Sequence, residues 1–466
     1  MREVATRVTS WRKTCFGSSV FHIPHSLCGL SAKRESALLY SLRVLSLHFE
    51  GLIAIICAMK LWLKYLLGAG VGIVAAVFFS PLTETESAVL GFVVEIAVRF
   101  VRYALMPFLF FSVAVGVFRL RLDKALDKSC ICFVLFAVLS SAALVALGLA
   151  SALLFKLPRI PISAETVAEV PTFDWKQLLL KLFPYSGFQS LDEGSYILPC
   201  YVFAFLLGAV AASDKTSAKE AVSLFDSLSK VTYSLMSFFI DIFSVAMIAV
   251  VCNWAINFVS VAKTGSYTGL FVLLAGDFLF VALVFYPIVM RLFCPTSHPY
   301  KILLASVTSL MAAFFTGDSN VALALNLRHG RDALSIRGRS NAFSMPLFSV
   351  FARGGSAMVQ AVAFVQILRS YSSLGISLSS ALWVALLAFA LSFVLGGYPT
   401  GGSFAAVTAM CLLYGNGFKL EYLLLKNVAP VICAFAAATD CLCSIFGAYF
   451  VAHKTKLVHK QDIASI

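Results

Sequence analysis

The segment 312–366 reads AAFFTGDSNVALALNLRHGRDALSIRGRSNAFSMPLFSVFARGGSAMVQAVAFVQ. Two apolar runs are interrupted in it by short polar strings, GDS at 317–319 and RGG at 353–355. Unpaired backbone is tolerated at membrane depth only where it is buried in protein or lines a wet cavity, so such interruptions indicate a binding or conduction path. A third interruption, GGYPTGG at 396–402, follows further along the chain. We expect the function to lie among these three breaks.

The composition is that of a polytopic membrane protein. Of the 466 residues 60% are hydrophobic and 13% are charged, against about 25% charged in average soluble domains. The formal net charge of +13 is typical of basic cytoplasmic loops that face anionic headgroups. Because no nucleic-acid-binding motif is present, the expected partner is the lipid bilayer and not a nucleic acid.

The cysteines and histidines form no catalytic or metal-binding pattern. The 12 cysteines lie mostly inside apolar runs, and the nearest pair, Cys441 and Cys443, points apart on a helix. The seven histidines are scattered, and no nucleophile, base and orienting group share one element. We therefore expect no resident cofactor and no enzymatic activity.

Apolar segments of membrane length predict an all-α fold with eight transmembrane helices and two re-entrant helical hairpins. The helices are predicted at 61–79, 87–118, 130–155, 193–212, 231–260, 266–293, 341–368 and 423–452, and the hairpins at 301–327 and 375–414. The two halves of the first hairpin, on either side of Gly317, are too short to cross separately. The two hairpins enter the membrane from opposite faces, and each is paired with a full helix. This is an inverted-repeat arrangement of secondary transporters.

Charge sets the predicted orientation of the chain in the membrane. Basic residues follow the second helix at 119–128, so both termini are predicted to be cytoplasmic, in a multi-pass protein of the cell membrane. Residues 1–58 are a basic N-terminal extension, and one hypothesis is that translation starts at Met59. Residues 301–455 form the predicted transport core, and 456–466 a cytoplasmic tail.

Several strings resemble the dicarboxylate/amino acid:cation symporter family, which includes the glutamate transporters. They are ALMPFLFFS at 104–112, FQSL at 188–191, AFFT at 313–316 and GYPTG at 397–401, and the resemblance covers about 60–455. It implies a homotrimer in which helices one to six, within 59–300, form mostly the scaffold and the trimer contacts, together with parts of the transport domain. It also implies an elevator mechanism, in which a transport domain crosses the membrane as a rigid unit with its cargo.

The chain departs from this family where ligands are bound. The family's seventh-helix signature, Asn-Met-Asp-Gly-Thr, reads ARGGS at 352–356, and its Ser-rich first tip reads GDSN at 317–320. The eighth-helix recognition positions read Cys433, Ala436, Asp440 and Ser444. The resemblance therefore implies a divergent member whose usual sodium and acidic-amino-acid ligands are largely replaced. The sodium-site candidates that it leaves are Ser140, Ser141, Asp440 and Ser444.

Arg353 is the most informative of the candidate site residues. A guanidinium near the bilayer midplane costs about 2.5 to 3.5 kcal/mol on insertion scales and cannot lose its proton, so it needs partners. The candidate partners are Asp318 and Asp440. In one hypothesis Arg353 replaces a bound sodium charge and helps to hold an anionic group of the substrate. In the other, it forms a buried pair that only fastens the hairpins to neighbouring helices.

The two hairpin tips are the other predicted parts of the site. Asp318 and Ser319 begin the second half of the first hairpin, where a helix N-terminus favours an anion, although Asp318 is equally suited to be the N-cap. The glycines of the second tip permit a hinged lid or simply a flexible loop. The predicted substrate-binding residues are Asp318, Ser319, Asn320, Arg353, Gly354, Ser356, Gly397, Tyr398, Pro399, Thr400, Gly401, Cys433 and Asp440.

The sequence thus predicts a symporter of a small organic anion, dicarboxylate or amino acid. Sodium or a proton is the expected coupling ion, and Asp440 is a candidate proton carrier. The alternatives are an uncoupled exchanger or an anion channel on the same fold, or a receptor that binds ligand without transporting it.

Overall fold

The computed structural model describes residues 60–79, 84–155, 157–161, 180, 184–192, 196–295, 298–371, 376–395, 398, 400–415 and 420–458. The chain divides into two units, Met1–Lys64 and Tyr65–Ile466. In the first unit the described residues are 60–64, at the start of the first helix. The predictions made for residues 1–58 and for most of the tail lie outside the described residues.

All the regular elements within the described residues are helices. The first half of the chain forms α1 (Leu61–Phe79), α2 (Glu84–Leu122), α3 (Leu126–Leu154), a single turn (Gln189–Asp192), α4 (Ile197–Ala211), α5 (Lys219–Ala262) and α6 (Thr268–Phe280). A π-helical turn (Val281–Phe285) leads directly into α7 (Tyr286–Phe293).

The second half contains the three breaks that the sequence predicts. Its elements are α8 (Pro299–Thr316), α9 (Ser319–Asp332), α10 (Gly338–Phe351), α11 (Gly354–Tyr371), α12 (Leu378–Ser392), α13 (Gly402–Tyr414), a 3-10 segment (Glu421–Val428) and α14 (Ala429–Lys454). The breaks therefore separate α8 from α9, α10 from α11, and α12 from α13.

Eight helical segments in the described part of the chain are long and apolar enough to cross a membrane. This confirms the predicted all-α polytopic fold, although the eight are not the predicted set. The 18-residue α8 is among them, whereas α4, at the position predicted as 193–212, has 15 residues and falls short of the roughly 20 that a span requires. The re-entrant placement of α8–α9 and α12–α13 and the inverted repeat stay predictions.

The first hairpin is longer than predicted, because α9 continues through charged residues that the sequence suggested were a loop. Arg328 Nη1 lies 3.2 Å from Asp241 Oδ1 on α5, and Arg328 Nε lies 3.8 Å from Asp332 one turn further along α9. These pairs compensate the charge of Arg328, and basic residues in the last turn interact favourably with the helix dipole. The second half therefore has 14 residues and ends at Asp332, five residues beyond the predicted end at 327.

The broken helix α10–α11 and the helix α14 form the centre of the structure. Nearly every residue of α11 is buried, as is most of α14. The two helices touch at Gly355, where an added Cβ would lie 2.6 Å from the backbone nitrogen of Asp440. A residue without a side chain is what lets two helix backbones come this close.

We predict that Gly355→Ala destabilises the protein by about 1 to 3 kcal/mol, because the new methyl overlaps the α14 backbone. The measurement is the melting temperature of the detergent-solubilised protein. The matched control is Gly70→Ala on α1, where an added Cβ meets no atom within 4 Å. A Gly355→Ala melting temperature equal to that of the control would show that α11 and α14 are not held this closely.

Candidate functional site

The tip between α8 and α9, called the first tip, meets the tip between α12 and α13, called the second tip. Gly317 ends α8 in the left-handed conformation with a φ of 61°, and Gly401 has a φ of 71° directly before α13. Between them, Asp318 and Thr400 form an isolated antiparallel β-bridge. Gly397 and Pro399, two predicted site residues of the second tip, lie outside the described residues.

Arg353 lies in the break between α10 and α11, and its side chain is 4% exposed. Its Nη1 donates to the backbone carbonyls of Leu395 and Tyr398 in the second tip, at 2.6 and 2.7 Å. Its Nε donates to Asp440 Oδ2 on α14 at 3.1 Å. The guanidinium therefore connects three separate elements: the α10–α11 break, the second tip and α14.

The carboxylate of Asp440 accepts hydrogen bonds from the first turn of α11 as well. The Ser356 backbone N–H donates to Oδ1 at 2.8 Å, and its hydroxyl donates to Oδ2 at 2.5 Å. Ser403 on α13 donates to the Ser356 hydroxyl at 3.0 Å, which brings the helix of the second pair into the same network. Because Asp440 faces the N-terminus of α11, the helix dipole also favours its negative charge.

Asp318, the other candidate partner of Arg353, pairs with Arg102 on α2 instead. Nε and Nη2 of Arg102 lie 2.8 and 2.5 Å from Asp318 Oδ2. The second carboxylate oxygen accepts the Asn320 backbone N–H at 2.8 Å, so Asp318 is also the N-cap of α9. The carboxyl group is fully buried, and Arg102 is 21% exposed.

The two tips, the α10–α11 break and α14 thus meet in one place, which we call the junction. The remaining predicted substrate residues lie around it. Ser319 and Asn320 are buried in the first turn of α9. Cys433 on α14 faces the first tip, since a Cβ built on Gly317 would lie 3.8 Å from the Cβ of Cys433. Gly354 faces α3, where an added Cβ would lie 3.0 Å from the Cα of Ser141.

Three of the four predicted sodium candidates lie in two hydrogen-bonded groups. Ser140 bonds Tyr286 at 3.0 Å, and the Tyr286 hydroxyl lies 2.6 Å from the Cys443 sulfur. The Ser444 hydroxyl donates to the Asp440 backbone carbonyl at 3.0 Å. The Ser141 hydroxyl is buried and has no hydrogen-bond partner among the described residues. Of the four candidates, Ser141 is therefore the one with an oxygen that the protein does not already use.

A profile of the sodium:dicarboxylate symporter family matches residues 61–454. The chain belongs to this family. Its membership confirms the resemblance that the sequence motifs indicate, and a family of transporters supports the prediction that the chain is not an enzyme. The breaks and tips described above all lie within the matched region.

Other members of the symporter family are similar to the chain over part of its length. The serine/threonine transporter SstT of Streptococcus thermophilus is 26% identical over 255 residues, which are 52% of this chain and 58% of the relative. The SstT of Enterococcus faecalis is 25% identical over 322 residues, 67% of this chain and 73% of the relative. The chain thus spans little more than half the length of the streptococcal relative.

Two parts of this family member's junction were not predicted from its sequence. Arg102 lies in the middle of the predicted span 87–118, and a cation at that depth is a functional signal in its own right. Ser403 carried no such signal, because small hydroxyls are common at helix contacts in membranes.

A third carboxylate, Asp277 on α6, is buried and accepts a hydrogen bond from the Ser151 hydroxyl at 2.8 Å. Ser151 lies about 15 Å along α3 from Ser141 at 1.5 Å per residue, so Asp277 is outside the junction.

We predict that Arg353→Met lowers the stability by about 3 to 5 kcal/mol, because it leaves the buried Asp440 carboxylate without its cation. The double variant Arg353→Met/Asp440→Asn removes both charges and is expected to recover much of that loss. Melting temperatures of the wild type, Arg353→Met, Asp440→Asn and the double variant complete a double-mutant cycle. Losses that simply add would mean that the two side chains are not coupled.

Proposed function

We propose that the chain is a secondary active transporter of a small organic anion, dicarboxylate or amino acid across the cytoplasmic membrane. In this proposal both termini are cytoplasmic, the protein is a homotrimer, and the core from α8 to α14 moves as an elevator. Membership of a symporter family supports transport. The serine/threonine transport named for the relatives supports an amino acid as cargo.

One observation carries the proposal, namely that a buried ionic junction lies where three broken helices meet. Such interrupted helices are the usual place of substrate and ion sites in secondary transporters, because their free backbone groups and dipoles bind charged ligands. Here Arg353 and Asp440 join the second tip to α11 and α14. The bridge between Asp318 and Thr400 brings the first tip to the same place.

Arg353 takes the place that a bound cation would occupy at this junction. Its guanidinium is surrounded by two backbone carbonyls and a carboxylate, and oxygen ligands of this kind suit a hard cation. The charge is covalently attached, so an ion gradient cannot move it separately from the protein. This observation favours uncoupled exchange as a second candidate function beside sodium- or proton-coupled symport.

The test of transport is uptake of labelled amino acids and dicarboxylates into proteoliposomes under a sodium gradient, a proton gradient or neither. Symport predicts saturable uptake that one gradient stimulates, whereas exchange predicts uptake that requires internal solute and ignores both gradients. A conductance without saturation would instead indicate a channel. Binding without flux would indicate a receptor, and either result would refute the transport proposal.

We further predict that Arg353→Met makes the protein sodium-dependent, because it vacates an oxygen-lined position beside Asp440. Replacing choline chloride by sodium chloride should then raise the stability of the variant, by about 1.4 kcal/mol at a sodium concentration ten times the dissociation constant. The wild type should gain less stability from sodium than the variant does. The control is Arg353→Met/Asp440→Asn, which lacks the carboxylate and should not respond. If the single variant ignores sodium, Arg353 does not stand in for that ion.

A further inference from the structure

The carboxyl group of Asp318 lies in surroundings that suit a bound carboxylate ligand. One oxygen contacts Nε and Nη2 of Arg102, and the other accepts a backbone N–H at the start of α9. Arginine side chains and free N–H groups at a helix N-terminus both bind carboxylates in proteins. Here both kinds of group act on a side chain of the protein itself.

The position lies at the junction of the tips. The backbone of Asp318 forms the β-bridge with Thr400 of the second tip, and Cys433 of α14 faces the adjacent Gly317. A solute enclosed between the two tips would therefore lie beside Asp318. Its carboxylate would meet a position that another carboxylate already occupies.

The charges of the junction balance without any solute. Arg353 is paired with Asp440, and Arg102 is paired with Asp318. Among the described residues of the junction, these four are the buried or half-buried charges, two of each sign. A dicarboxylate would bring a net negative charge that no unpaired cation there offsets, and burying an unpaired charge is strongly unfavourable. A zwitterion carries its own counter-charge and avoids this cost.

We infer that Asp318 is a specificity-determining residue that takes the place of a second solute carboxylate. The chain therefore selects net-neutral solutes, such as amino acids with uncharged side chains, and excludes dicarboxylates and acidic amino acids. Arg102 and the α9 N-terminus form a latent carboxylate site that Asp318 closes. The inference rests on the proposed function for the solute, and it narrows the three proposed classes to one.

The decisive variant is Asp318→Ser. Serine preserves N-capping of α9 but removes the carboxylate, so Arg102 becomes available to an anionic solute. The test titrates aspartate, succinate and serine against the purified wild type and variant, and follows the melting temperature to obtain apparent affinities. We expect the wild type to bind serine more tightly than either dicarboxylate. We expect Asp318→Ser to bind the dicarboxylates at least about tenfold more tightly than the wild type does.

Two further variants show whether Arg102 is the cation responsible. Asp318→Ser/Arg102→Gln removes both charges and should lose the gain in dicarboxylate affinity. Asp318→Asn keeps the size of the side chain but not its charge, and because it still fills the position it should gain less than Asp318→Ser. An equal gain in the double variant would overturn the inference, as would a wild type that prefers dicarboxylates.

The binding measurement is separate from uptake, so the two proposals can fail independently. A wild type that binds serine and rejects dicarboxylates but shows no flux would refute transport and leave the role of Asp318 intact. A wild type that transports succinate as well as serine would support transport and refute that role.

Discussion

A guanidinium buried among apolar helices keeps its charge, and the arrangement around Arg353 follows from this constraint. The side chain needs acceptors, and the structure supplies a carboxylate from α14 and two carbonyls from the second tip. Asp440 in turn needs donors beyond one arginine, and it finds them in the first turn of α11. Each requirement brings in another element, so the charge of one residue fixes the relative positions of two breaks in the chain and of α14.

The same reasoning applies to the ends of the broken helices. A helix that stops inside a membrane leaves N–H and C=O groups that water cannot satisfy there. The carbonyls of Leu395 and Tyr398, beyond the end of α12, are used by Arg353, and the N–H of Ser356 is used by Asp440. Asp318 satisfies the start of α9 in the same way. The breaks can therefore lie at membrane depth, because protein groups bind the backbone N–H and C=O groups that the broken helices leave free.

The sequence revealed the breaks and one of the two ion pairs, for identifiable reasons. Interrupted hydropathy marks a break locally, so the helix ends at Thr316 and Phe351 were foreseeable. Arg353 and Asp440 lay in elements that the motifs already placed side by side. Arg102 is 216 residues from Asp318 along the chain, and hydropathy carries no information on which face of α2 meets the first tip. The extension of α9 was missed because charges that pair across helices look the same in sequence as charges in a loop.

Under the proposed elevator mechanism, the pair between Arg102 and Asp318 also has a kinetic consequence. It joins α2 to the start of α9. In the proposed elevator mechanism α9 belongs to the moving core, whereas α2 belongs to the part of the chain that is expected to be mostly static scaffold. An elevator stroke that carries α9 past α2 has to separate these charges before anything replaces them. Separating the charges raises the activation free energy of the stroke unless new contacts compensate the lost attraction. Each 1.4 kcal/mol by which that activation free energy rises slows the stroke by about tenfold. The residue that sets the charge of the cargo would then also set the pace of the cycle, so selectivity and turnover would not vary independently in this protein.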